Sequence, residues 1–124
     1  MVLSIIICTY NRVDFLKKCI DSILKQISSN NDIEIVIVDN NSNDETKKYI
    51  NNLNSHHINY YLETKQGLSH ARNTGIEKSN GDFLAFVDDD ATIDDKWLKS
   101  LQHHLKNQYT LFVLQISMLF SFPH

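Results

Sequence analysis

Phe83-Leu84-Ala85-Phe86-Val87-Asp88-Asp89-Asp90-Ala91 is the stretch whose reading decides the fold. Its first five residues are apolar without a break, the pattern of a strand buried on both faces. Three carboxylates follow at once, and no buried strand holds unpaired acids, because taking a charge out of water is very costly. The acids therefore belong just past the strand's carboxyl end. In open α/β sheets, ligands bind along that edge. Clustered carboxylates repel one another, and a bound cation removes the repulsion. Oxygen donors suit a hard ion, Mg²⁺ or Mn²⁺, which takes one or two carboxylates and completes its shell with water and substrate phosphate. The plainer alternative is a solvated acidic turn before a helix, whose N-terminus favours negative charge.

Working outward, Leu3–Cys8 and Ile33–Val38 are further apolar runs, and Ile58–Leu62 is a weaker one. The polar group Thr9-Tyr10-Asn11-Arg12 ends the first run, and Asp39 ends the second. Between them, Phe15, Leu16, Cys19, Ile20, Ile23, Leu24 and Ile27 recur in a helical stripe. Asn11 is the expected N-cap of that helix, with Asp14 in its first turn. Ser28–Asp32 reads as a loop. Ser42 with Glu45 reads as a capping box opening a helix to Leu53. Another short helix is expected over Ser69–Lys78, after a loop holding Gly67, and Asn80-Gly81 marks the turn into Phe83–Val87. Trp97, Leu98, Leu101 and Leu105 stripe a last helix. Strands alternating with helices imply an α/β fold, a mostly parallel sheet with helices on both faces. A parallel sheet sends every strand's carboxyl end to one edge. Thr9, Asp39 and Asp88 should therefore converge, which favours a metal and nucleotide site over a solvated turn.

The bulk properties narrow the class. A chain of 124 residues suits one domain, and 42% hydrophobic content argues against disorder. A net charge of -3 gives no basic surface, so nucleic acid is not an expected partner. Cys8 in an apolar run and Cys19 on an apolar helix face suggest two buried thiols in place of a disulfide. No secretory pattern opens the chain, and no apolar run is long enough to span a bilayer. A cytoplasmic setting is expected, with the cytoplasmic face of the membrane as the alternative. His56-His57 and His103-His104 are poor metal pairs, since adjacent helical positions diverge by about 100°.

The segments SIIICTYNR from Ser4, DIEIVIVDNNSNDET from Asp32 and KQGLSHARNTGIEKSNGDFLAFVDDDA from Lys65, with the helix holding Trp97, resemble glycosyltransferase family 2. The resemblance covers about residues 2–107. It implies the three-layer GT-A fold and a nucleotide-sugar donor, a UDP-sugar by analogy with the family. Thr9, Tyr10 and Arg12 fall where the family's first loop meets the nucleotide, with the aromatic stacking on the base. Asp39 falls where an acid contacts the base or ribose, and Arg72 falls on the donor-binding loop. Asp88 and Asp90 occupy the ends of the D-x-D motif. By the same resemblance Asp90, with Asp88, binds the Mg²⁺ or Mn²⁺ that bridges the diphosphate, while Asp88 and Asp89 approach ribose and sugar. The plain alternatives are a capping role for Thr9, ordinary packing for Tyr10 and a solvated helix position for Arg72.

The implied reaction moves sugar to a hydroxyl of a glycan or lipid-linked acceptor, with inversion. Its general base is expected in a further half that family members carry. Residues 1–109 then form the nucleotide-sugar-binding part, and residues 110–124 an atypical apolar tail arising from truncation or a frameshift. Thr110–Phe120 is expected to be a marginal edge strand or an exposed apolar segment. Two other functions compete. Val87–Thr92 also fits the haloacid-dehalogenase-like phosphatase signature, with Asp88 as nucleophile and Asp90 as acid-base, though the later acidic pair that family needs is missing. The other is a remnant that binds nucleotide sugar without turnover.

Overall fold

A computed structural model describes residues 2–27, 32–106 and 113–115. The chain alternates β1 (Leu3–Thr9), α1 (Val13–Leu24), β2 (Ile33–Asp39), α2 (Thr46–Leu53), β3 (Ile58–Leu62), α3 (Leu68–Lys78), β4 (Phe83–Phe86), α4 (Trp97–Leu105) and β5 (Val113–Gln115). The strands form one sheet in the order β3-β2-β1-β4-β5, and every pairing is parallel. Thr9 stands opposite Asp39, and Ile6 opposite Phe86, so the carboxyl ends of β1, β2 and β4 share one edge. The chain steps from β1 to β2 to β3 in one direction and then places β4 on the other side of β1. Such a reversal of strand order leaves a crevice between the two central strands, and ligands bind there in doubly wound folds.

Strand side chains alternate between faces, and the core follows that period. Ile5, Ile7, Ile35, Ile37, Phe83 and Ala85 pack with α1, Ile50 of α2, and Trp97, Leu98, Leu101 and Leu105 of α4. Ile6, Val36, Val38, Leu84 and Phe86 face the other way, against Ala71 of α3. This is the expected three-layer arrangement. Each fully buried aliphatic side chain contributes about 1.5–3 kcal/mol relative to exposure. α3 approaches the sheet closely because Gly75 has no side chain: a Cβ there would sit 2.5 Å from Ile6 Cγ2.

Two capping expectations are corrected. Asn11 is not the N-cap of α1; it adopts a left-handed φ of 51°, which Asn tolerates better than most residues. Arg12 holds the cap position, without a side-chain cap bond. Ser42 and Glu45 form no capping box. Ser42 Oγ instead accepts the Asn11 N–H at 2.9 Å, and α2 begins at Thr46. The acceptor for both helix starts is Asp44: Oδ1 takes the Thr46 N–H at 3.0 Å, and Oδ2 takes the Val13 N–H at 3.2 Å. A single carboxylate thus ties α1 to α2. The loop expected at Ser28–Asp32 lies, apart from Asp32, outside the described residues. Of the tail, Val113–Gln115 pairs with β4 as the edge strand β5, and the rest of Thr110–Phe120 lies outside them.

Candidate active site

A cavity of about 520 Å³ opens at the carboxyl edge, where the strand order reverses. Cys8 and Thr9 of β1 and Phe86 of β4 line it from the sheet. Gln66, Gly67, Leu68 and Arg72 line it from the start of α3 and the preceding loop. Gly67 takes a φ of 134°, a backbone conformation that L side chains rarely adopt, and so lets the loop turn into the helix. The loops after β1 and β4 add Tyr10, Arg12, Asp88, Asp89 and Asp90.

The three aspartates differ in setting. Asp88 is half-buried, and its main-chain carbonyl accepts the Ala91 N–H at 3.0 Å and the Cys19 thiol at 3.5 Å. Asp89 is 6% exposed. Its Oδ2 accepts the Thr9 hydroxyl at 2.9 Å, and its Oδ1 lies 3.3 Å from Arg12 Nη1. Burial raises the pKa of Asp89; the Thr9 bond and the Arg12 charge oppose that rise without cancelling it. Asp90 is more open, with Oδ2 3.3 Å from Arg12 Nη2. Tyr10 stands exposed at the rim, and the Arg72 guanidinium lies 5.5 Å from the Phe86 ring centre. Burial pushes the Cys8 thiol up to about 12, so it is protonated at neutral pH and is no nucleophile. Both cysteines are free thiols, with Cys19 buried and Cys8 half-buried.

Asp39 stands at the same edge, as expected, but does not line the cavity. It is 1% exposed, and both its oxygens have partners within the chain. Oδ1 accepts the Ser42 N–H at 2.8 Å, and Oδ2 accepts the Tyr60 hydroxyl at 2.6 Å. Burial and this bond push the Tyr60 pKa up, so the phenol stays a donor.

The residue that sequence reasoning missed is Asn40. It lines the cavity, and its amide organises the opposite wall. Nδ2 donates to the carbonyls of Glu63 and Lys65, each at 3.0 Å, and Oδ1 accepts the Gly67 N–H at 2.9 Å. The only signal in the sequence was a polar residue directly after a strand-ending acid. Glu63 extends this brace, accepting the Lys65 N–H at 2.9 Å and the Thr74 hydroxyl of α3. The hydrogen bonds from Thr74 and Lys65 hold its carboxyl below the usual range.

The protein's own donors supply only part of a divalent ion's shell. Among the described residues no group of three or more His, Cys, Asp or Glu side chains could hold one. Asp88 and Asp90 offer carboxylates at a cavity mouth large enough for a phosphate-bearing ligand. A hard ion that draws the rest of its shell from phosphate and water fits such a site.

The sequence model described as Glycosyl transferase family 2 matches residues 4–121. The chain belongs to that family. A relative, the GalNAc(5)-diNAcBac-PP-undecaprenol beta-1,3-glucosyltransferase of Campylobacter jejuni, is 36% identical over 111 residues, covering 86% of this chain and 35% of that protein. Staphylococcus aureus TarS 1-349, solved in complex with UDP-GlcNAc, superposes with a TM-score of 0.75 at 26% identity, over 86% of this chain and 31% of that one. The mannosyltransferase PcManGT of Pyrobaculum calidifontis, solved with GDP-Man and Mn²⁺, gives a TM-score of 0.76 at 25% identity, over 85% of this chain and 32% of that one. The chain thus spans about a third of the length of each. These likenesses identify the three-layer sheet as the GT-A fold of family 2. The match decides against the phosphatase reading of Val87–Thr92.

Proposed function

We propose that this chain is the donor-binding part of a glycosyltransferase, which moves a sugar from a nucleoside diphosphate sugar to an acceptor hydroxyl. One observation carries the reading: Thr9, Tyr10, Arg12, Arg72 and the three aspartates line one cavity at the strand reversal. The solved neighbours bound to UDP-GlcNAc and to GDP-Man support a nucleotide-sugar donor, and a UDP-sugar is the first to test. The undecaprenol-linked substrate in the name of the Campylobacter relative supports a lipid-linked or glycan acceptor. That acceptor would place the work at the cytoplasmic face of a membrane. Among the described residues no helix is long and apolar enough to cross one.

In the proposed reaction the acceptor oxygen attacks the anomeric carbon from the face opposite the diphosphate. The new C–O bond forms as the bond to the diphosphate oxygen breaks, and that oxygen keeps the electron pair. The acceptor proton passes to a carboxylate base, for which no described residue is assigned. Bound at Asp90 and Asp88, Mg²⁺ or Mn²⁺ would act as a Lewis acid, neutralising the leaving diphosphate. Tyr10 offers a ring to the base, and Arg72 offers a guanidinium suited to phosphate or base. Asp88 and Asp89 face ribose and sugar, with Asp89 held by Thr9. Asp39 acts behind the cavity, fixing the loop that starts at Asn40 and through it the nucleoside.

Calorimetry with UDP and with GDP, each in Mn²⁺ and in chelator, tests the proposal. Binding should require Mn²⁺, and Asp90→Asn should weaken it on the order of tenfold or more, because an ion held there would lose a charged ligand. A folded chain that binds neither nucleotide in Mn²⁺, or binds equally well in chelator, would remove the reading. Release of sugar from a UDP-sugar would separate an active donor site from one that binds without turnover.

A further inference from the structure

The group lying between Asp89 and Asp90 is a side chain of the protein itself. Arg12 Nη1 is 3.3 Å from Asp89 Oδ1, and Nη2 is 3.3 Å from Asp90 Oδ2. One planar guanidinium therefore spans two successive carboxylates, with one terminal nitrogen on each. The chain takes trouble to aim it there. Asn11 adopts its left-handed turn, fixed by its N–H on Ser42 Oγ at 2.9 Å and by the Asn43 N–H on its Oδ1 at 2.8 Å. Immediately after Arg12, the Val13 N–H is tied to Asp44. The Phe15 ring lies 5.1 Å from the guanidinium carbon. Asp89 is locked by Thr9, whereas the Asp90 carboxylate meets Arg12 and, among the described residues, no second side chain, and it stays 41% exposed.

We propose that Arg12 is an exchangeable counter-cation: it bridges Asp89 and Asp90 and offsets part of their charge while the site is empty, and it moves from Asp90 to the diphosphate when the donor arrives. This inference rests on the donor-site reading. Arg12 and a divalent ion compete for Asp90, so the ion binds weakly alone. The negative diphosphate draws the guanidinium away and at the same time supplies oxygen ligands. Metal and nucleotide binding are then linked, each favouring the other. Arg12 acts here as a positioning residue that orders the assembly of the site.

Titration of the full 124-residue chain with Mn²⁺, followed through the resonance signal of the free ion, tests this without any turnover. Wild-type protein should bind Mn²⁺ weakly alone and more tightly with UDP present. Arg12→Gln should bind Mn²⁺ alone on the order of tenfold more tightly than wild type, and should gain less from UDP. In chelator the same variant should melt earlier, because two carboxylates face each other uncompensated. Arg12→Lys, which keeps the charge but loses the planar fork, should fall between the two and serves if the glutamine variant does not fold. A folded variant that binds Mn²⁺ alone no better than wild type overturns the proposal. So does wild-type protein whose Mn²⁺ affinity is indifferent to UDP although UDP binds. Failure of wild type to bind UDP in Mn²⁺ removes the donor reading instead, and the comparison in Mn²⁺ alone still judges Arg12.

Discussion

Thr9 donates its hydroxyl to Asp89 across the strand reversal, joining the end of β1 to the loop after β4 at 2.9 Å. Both residues are buried, at 3% and 6% exposure, so water does not replace the bond once it is lost. Thr9→Val keeps the shape and removes the donor. The expected loss is about 1–3 kcal/mol of stability, the cost of leaving a buried acceptor short of a partner. Thr9→Ser should recover most of it. Urea unfolding of the three proteins at neutral pH checks this; equal midpoints for Thr9→Val and wild type would refute it.

Asn40 makes its two amide donations and one acceptance to a single loop. Asn40→Asp retains the acceptor for Gly67 but sets a carboxylate against two carbonyl oxygens. The loop should open, and trypsin should cut after Lys65 faster than in wild type. Affinity for UDP should fall with it. Unchanged cleavage would show that Asn40 does not brace the wall.

Gly75 lies inside α3, where alanine would ordinarily favour the helix by about 1 kcal/mol. Here the added Cβ meets Ile6 Cγ2, a branch methyl on a buried strand that has little room to move. Overpacking costs about 1–3 kcal/mol, so Gly75→Ala should be net destabilising despite its helix propensity. A rise in melting temperature would contradict this.

Asp44 gives a pH dependence of known sign. Burial alone would raise its pKa, but hydrogen bonds from the Thr46 side chain and from the backbone N–H groups of Thr46 and Val13 outweigh it, leaving it below the ordinary 3.8. A folded pKa below the unfolded one adds stability that is present above about pH 4 and is lost as pH falls further. Asp44→Ala should cost about 1 kcal/mol at neutral pH, in the range of lost helix caps. The difference from wild type should shrink below pH 4. A gap that persists at pH 2.5 would exclude the charge as its source.

The strands were legible because buried parallel strands are continuous apolar runs, and Phe83–Val87 followed by acids left little choice of edge. Residue-level hydrogen bonding was not. Ser42 and Glu45 carry the right spacing for a capping box, yet the Asn11 turn claims Ser42, and Asp44 takes over the cap. That contest is decided between two loops distant in sequence, which local patterns do not register. Asp39 shows the same limit. Its place at the edge follows from topology, but its burial depends on Tyr60, whose facing is set by pairing of β3 with β2. Asn40 carried no pattern of its own, since its partners lie in a loop without regular structure.

The central position of β1 also bears on how the molecule assembles. β1, α1 and β2 are neighbours along the chain and form one compact unit, whereas β4 must return across most of the described sequence to reach the free side of β1. Pairings between distant segments carry the larger loop-closure cost and tend to form late. The β1–α1–β2 unit is therefore expected to nucleate folding, with β4 docking afterwards. The cavity between β1 and β4 does not exist until that last step. A nucleotide bound in it should consequently leave the folding rate alone and slow unfolding, so that occupancy of the site would be read as a longer lifetime of the native state.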